Sequence, residues 1–322
     1  MLFIKPNIDK AIDHYNKYEK SLKSRINAET QFLIAVNKQN SSLYRFLFDL
    51  INIDDNNKGS LYDLITALPD RMEEIINDSD LDFITNRRND DNDNKELKKI
   101  FSICYSSDLD KTDHIQSVKT HTCPYCNHTF IQTDKQGRGK HEIDHFYPQA
   151  TFPYFAMSYF NLIPACRSCN AEFGGKKNTL PIKNKRYPFE HRIYNPYDER
   201  VKGLKFNLDL KDIKDIWKNN LNIKVTPKSM GEGYQMLFKI ESIYSHHTDY
   251  VHELYLKHIY LYSDIHQEQL LNWINGNKKS INIDLYRYLY GFYEEVESYH
   301  KRPLSKMAGD ILSEIDDLLK RH

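Results

Sequence analysis

Apolar residues recur at helical spacing along most of this chain. Between 8 and 26, Ile8, Ile12, Tyr15, Leu22 and Ile26 stand with charged residues between them, the pattern of a helix with one apolar face. Phe32 to Val36, Leu43 to Ile53 and Leu61 to Ile76 continue it, and Asn56-Asn-Lys-Gly59 reads as a break. Residues 1–110 therefore predict a helical domain. Residues 86–94 are all Asn, Arg or Asp and predict a loop or linker, followed by a helix from Lys95 to Ser106. After the turn-rich Tyr194-Asn-Pro-Tyr-Asp198 the period changes. Leu204, Phe206, Leu208 and Leu210 alternate with polar residues, and Leu221, Ile223 and Val225 repeat the alternation. A small antiparallel sheet, a β-hairpin, is expected there. Helical spacing returns from Met236, with Leu237, Ile240, Tyr244, Val251 and Leu254 on one face, and a last helix is expected over 304–320.

With 322 residues the chain is long enough for two or three domains, and 40% hydrophobic residues suffice for real cores. The 23 Tyr and 16 Phe read first as core aromatics with hydroxyls reaching the surface. The net charge of zero argues at first against nucleic acid, but the balance is uneven. Between 111 and 192, twelve Lys and Arg stand against six Asp and Glu, leaving +6 for that stretch. A basic segment inside a neutral chain suits phosphate contact. The start, Met1-Leu-Phe-Ile-Lys-Pro, has no basic stretch leading into a long apolar run, and no run approaches membrane-spanning length. A cytoplasmic protein that meets no membrane is the expectation.

Four of the five cysteines form two pairs, Cys123-Pro-Tyr-Cys126 and Cys166-Arg-Ser-Cys169. In a reducing compartment such pairs favour metal over disulfide, and four thiolates make the closed tetrahedral set of a structural Zn²⁺. Cys104 stands alone and reads as a small buried hydrophobe. The 39 residues between the pairs exceed the spacer of a plain zinc ribbon, roughly 15–20 residues, so a folded piece must lie inside the loop. That piece carries His141-Glu-Ile-Asp-His-Phe-Tyr-Pro148, short enough for a strand of a hairpin. The Asp144 carboxylate suits Mg²⁺ or Mn²⁺, and the His145 imidazole suits removing a proton from water. Neighbouring strand residues face opposite ways, so a twist or bulge would have to bring the two to one substrate. Arg167, Lys176 and Lys177 are placed to meet a phosphate backbone, and His246 and His247 read as ordinary helix residues.

The layout of CxxC, Asp-His, Asn161 and CxxC-Asn170 resembles the HNH endonucleases, the ββα-metal class, in their zinc-bearing version similar to endonuclease VII. The resemblance covers about 55 residues, 123–177, with the basic tail to 192, and not the N-terminal helical domain. The C-terminal region resembles the extensions of uncharacterised bacterial HNH proteins only vaguely, which adds nothing to the mechanism. The HNH likeness implies an embedded ββα-metal module at 111–192. With the helices before it and the small sheet then helices over 193–322 that the spacing predicts, the chain is expected to be α-rich α+β. The resemblance implies Asp144 and Asn170 as ligands of a catalytic Mg²⁺ or Mn²⁺, His145 as general base, and Asn161 as the residue that pins the loop bearing His145. It implies hydrolysis of DNA, leaving 5′-phosphate and 3′-hydroxyl ends. Standalone bacterial members resemble subunits of restriction or anti-phage systems, sometimes beside an ATPase, which the helical flanks would dock. Two other readings stay open, an RNA-cleaving member and a silent zinc module that binds nucleic acid or a protein partner.

Overall fold

The computed structural model describes residues 1–78, 91–131, 141–172, 192–208, 210, 212–217, 221–261, 268, 269, 272 and 285–320. Helix α1 spans Ile8–Ala35 and opens where the Asn7 side chain accepts a hydrogen bond from the Lys10 amide at 3.1 Å. Its buried stripe is Ala11, His14, Tyr15, Tyr18, Leu22, Ile26 and Leu33. The stripe thus starts one turn later than the apolar pattern suggests, and Ile8 is exposed. Helix α2 spans Ser42–Asn52, capped by Ser41, and packs Leu43, Leu47 and Leu50 inward. The apolar run from Leu61 to Ile76 forms two helices, α3 (Leu61–Thr66) and α4 (Pro69–Ile76), rather than one. Pro69 is the reason, since it biases Leu68 out of the helical region and suits the first turn of the next helix. Ser60 and Asp63 form a reciprocal cap on α3, Ser60 Oγ accepting from the Asp63 amide and Asp63 from Gly59 N.

Helix begins again at Asp91, inside the stretch whose composition suggests a loop. It runs through a π-helical turn at Lys98–Ser102 into Ile103–Ser107. A further helix, Lys111–Val118, leads to the first cysteine pair. Strands β1 (His141–His145) and β2 (Leu162–Cys166) form an antiparallel pair in which His141 faces Cys166 and His145 faces Leu162. Strands β3 (Lys205–Asn207) and β4 (Lys224–Thr226) form a second pair, with Phe206 opposite Val225. Leu204, Phe206 and Leu208 are buried in turn as the alternation requires, but only three residues of each strand pair. The connection between them carries a 3₁₀ helix, Ile213–Trp217, so this is no tight hairpin. Among the described residues the molecule is thus helix-rich, with two small antiparallel strand pairs. No helix among the described residues is long and apolar enough to cross a membrane.

One buried apolar cluster runs from α1 through the segment 146–163 to Ser305–Leu319. Tyr125, Tyr147, Tyr154, Tyr159, Phe146, Phe155 and Phe160 are among its largest fully buried side chains, so the aromatic surplus is concentrated around β1 and β2. Burying one such ring contributes about 1.5–3 kcal/mol. Cys104 is fully buried, and burial pushes its thiol up to about 12, as befits an unreactive core residue.

Two buried histidines brace the same region from behind. His14 Nε2 lies 2.9 Å from the Met157 carbonyl and His114 Nε2 2.8 Å from that of Leu162. A carbonyl only accepts, so each ring donates through Nε2. Burial lowers His14 to about 3 and His114 to about 4. Both rings stay neutral in the folded chain and protonate near 6.5 in the unfolded one. Their contribution is therefore complete above pH 6.5 and falls as the pH drops towards those values. Each costs about 1.4 kcal/mol per pH unit in that window. Urea midpoints taken between about pH 7 and pH 5 should show the decline. His114→Gln, which can still donate to Leu162, should flatten its slope by about one proton. An unchanged slope would mean that His114 is not buried in its neutral form.

Candidate metal and catalytic site

The first cysteine pair sits in a tight turn. The Asn127 amide donates to Cys123 O at 2.7 Å and the His128 amide to Cys126 Sγ at 3.4 Å. Asn127 turns the chain with φ of 48°, a left-handed value that Asn tolerates. Its side chain then ties the turn to the C-terminal helix, donating to Thr122 Oγ1, Tyr299 O and Arg302 O and accepting from the Lys306 amide. Tyr244 Oη donates to Cys126 O at 2.5 Å, and the Leu2 amide to Pro124 O at 2.8 Å. Segments from both ends of the chain thus hold this turn.

The second pair leaves the end of β2 and enters a π-helical turn, Ser168–Glu172. The four Sγ atoms of Cys123, Cys126, Cys166 and Cys169 lie within 4.8 Å of one another, all four residues buried and none in a disulfide. Tetrahedral zinc with sulfur at about 2.3 Å places its ligands about 3.8 Å apart, inside that limit. The donor set fits a structural Zn²⁺ and is closed to a fifth ligand.

Asp144 and His145 end β1, and they meet different partners. Asp144 is buried, and its Oδ2 accepts from Tyr125 Oη at 2.5 Å. Burial, with the Asp144 charge beside it, holds Tyr125 far above the usual tyrosine range, so the phenol remains a donor. His145 Nε2 lies 3.1 Å from the Ala156 carbonyl, and the Tyr105 ring meets the imidazole edge-on with centroids 4.4 Å apart. Because that carbonyl must accept, Nε2 carries the proton of the neutral ring and Nδ1 its lone pair. Burial raises Tyr105 to about 12, and the charges of Asp144 and Glu142 add to the shift.

Asn161 is fully buried between the strands. Its Oδ1 accepts from the Tyr147 amide at 2.7 Å, and its Nδ2 donates to Tyr147 O at 3.1 Å and Phe155 O at 3.0 Å. These three bonds close the segment that follows His145. Asn170 Nδ2 donates to Glu142 Oε2 at 2.6 Å, which ties the turn after β2 to β1 two positions before Asp144. Glu142 and Asp144 share one face of the strand by its two-residue period. Asp144, Glu142 and the Asn170 amide oxygen are hard donors, the chemistry of a Mg²⁺ or Mn²⁺ site. Arg167 is exposed in the turn between Cys166 and Cys169. Lys176 and Lys177 lie outside the described residues.

Three residues here escaped the motif. Tyr125 is visible in sequence only as the interior of a CxxC pair. Glu142 could have been found from its spacing to Asp144, whereas nothing local marks Tyr105. His247 is no ordinary helix residue. It lies in a 3₁₀ turn, and its Nε2 is 3.0 Å from that of His128 beside the first cysteine turn.

No family model matches this chain, and no solved structure matches it. It is 29% identical over 92 residues to the Septu protein PtuB of Bacillus thuringiensis. The match covers 29% of this chain and 32% of that protein. The likeness therefore concerns about a third of each molecule.

Proposed function

We propose that this chain is a metal-dependent endonuclease of the HNH kind that hydrolyses DNA phosphodiester bonds. The observation that carries the reading is the pairing of β1 with β2. It brings Asp144 and His145 to the end of one strand, Asn161 to the start of the other, and the buried four-cysteine set to the opposite end. His145 takes a proton from water at Nδ1, its Nε2 proton being held by Ala156 O. Asn161 keeps the segment after His145 in place, which fixes the direction of the imidazole. A divalent cation at Asp144 and Asn170 would supply charge stabilisation for the phosphate and the departing 3′ oxygen. Arg167, with Lys176 and Lys177, would meet phosphates along the substrate.

The setting we infer is a bacterial restriction or anti-phage defence system, with a protein partner, such as an ATPase, docked on the helical flanks. Partial likeness to a Septu protein supports it. The test is nicking of supercoiled plasmid by the purified full chain. Cleavage should need added Mg²⁺ or Mn²⁺, stop with EDTA, and be lost in Asp144→Ala while that variant stays folded. Full cleavage by Asp144→Ala would overturn the ligand assignment. Cleavage of RNA alone would move the reading to an RNA-cleaving enzyme, and metal-independent binding without cleavage would leave a zinc-bound binding module.

A further inference from the structure

The buried Tyr125 has a role that neither the cysteine motif nor the Asp-His pair accounts for. It lies between two zinc-binding positions, Cys123 and Cys126, yet its hydroxyl reaches Asp144 on β1. The two groups are 19 positions apart in sequence, and the bond is buried. The ring is fully buried and stacks on Phe238, with centroids 5.1 Å apart and planes 19° apart. Its backbone is fixed on both sides, by Leu2 N on Pro124 O and by Asn127 N on Cys123 O. A donor held at ring and backbone has one position from which to donate.

A carboxylate turns about its own axis at little cost, so a ligand such as Asp144 loses affinity unless something fixes its plane. Donation to Oδ2 fixes that plane. We propose that Tyr125 is a positioning residue for the cation site, through which the zinc-bound turn sets the direction of Asp144. The inference rests on the reading of Asp144 as a cation ligand. A plainer role would be that Asp144 only satisfies a buried phenol, which costs free energy when left without a partner. The two roles differ in what removal of the hydroxyl does to cation affinity.

The experiment is calorimetric titration of Mn²⁺ into the zinc-loaded full chain without nucleic acid. It compares wild type, Tyr125→Phe, Phe238→Leu and Asp144→Ala, each with its zinc content and melting temperature measured. Tyr125→Phe keeps the ring and should bind Mn²⁺ about 10–100-fold more weakly, the usual cost of losing a group that orients a ligand, with zinc content unchanged. Phe238→Leu disturbs the ring's support but keeps the hydroxyl, and should hold Mn²⁺ within a few fold of wild type. Asp144→Ala should lose the Mn²⁺ signal. If Tyr125→Phe binds like wild type while Asp144→Ala does not, the inference falls and the cation reading stands. If Asp144→Ala also binds like wild type, the cation reading itself falls and takes the inference with it. Equal weakening in Phe238→Leu, or loss of zinc in Tyr125→Phe, would make the residue part of the zinc fold alone and overturn the proposed role.

Discussion

Cys166→Ser is expected to leave the chain without its zinc and to unfold the region around β1 and β2. Cys166 ends β2 and faces His141 across the pair, so it joins the strand to the metal set. Structural zinc contributes on the order of 10–16 kcal/mol of apparent binding free energy at neutral pH. A whole domain is stable by only about 5–15 kcal/mol. Removing one of four thiolates therefore removes more than a normal fold can spare. The loss should also spread, because the first cysteine turn is held by Leu2, Tyr244 and the segment 299–306. Wild-type protein should carry about one zinc per chain by elemental analysis. The variant should carry far less, melt at a lower temperature and lose amide protection along β1 and β2. Well-folded wild-type protein free of zinc would refute the assignment.

What could be read from the sequence was the part that short spacing controls. Two CxxC pairs must present their thiols from turns, and the four sulfurs do converge. The surplus of residues between the pairs required a folded insert, and β1 with most of β2 lies there. Helix positions were legible where an apolar face repeats, as in α2, and were misjudged where end effects compete with the repeat. The buried face of α1 begins at Ala11 instead of Ile8 because the first turn lies beside the chain entry and only later turns face the core. The break at Pro69 was written in the residue itself, and the apolar pattern across it hid the signal. The contacts that aim the candidate site were not legible, because each joins distant parts of the chain. Tyr125 meets Asp144, Glu142 meets Asn170 across 28 positions, and His128 meets His247 across 119. Periodicity carries no information about such pairs, since they depend on how elements pack and not on the elements themselves.

His145→Ala should be the cleanest catalytic lesion. The residue belongs to neither metal set, so zinc content and Mn²⁺ binding should survive the change. Its removal should also spare the fold, because the strand ladder passes through backbone groups and continues with Phe146 N on Asn161 O at 2.9 Å. The imidazole's contacts include a hydrogen bond with the Ala156 carbonyl and an edge contact with Tyr105. What disappears is the group that takes a proton from water, worth roughly 10²–10⁴-fold in rate. Substrate affinity should remain close to wild type, since Arg167 and the residues that hold the cation are untouched. The deciding measurement is single-turnover cleavage of plasmid at saturating Mg²⁺, with binding followed separately in Ca²⁺. A fall of a hundredfold or more in the chemical step, at unchanged affinity, is the expected result. A rate within a few fold of wild type would remove His145 as the base, even with the four-cysteine site and the strand pair left intact.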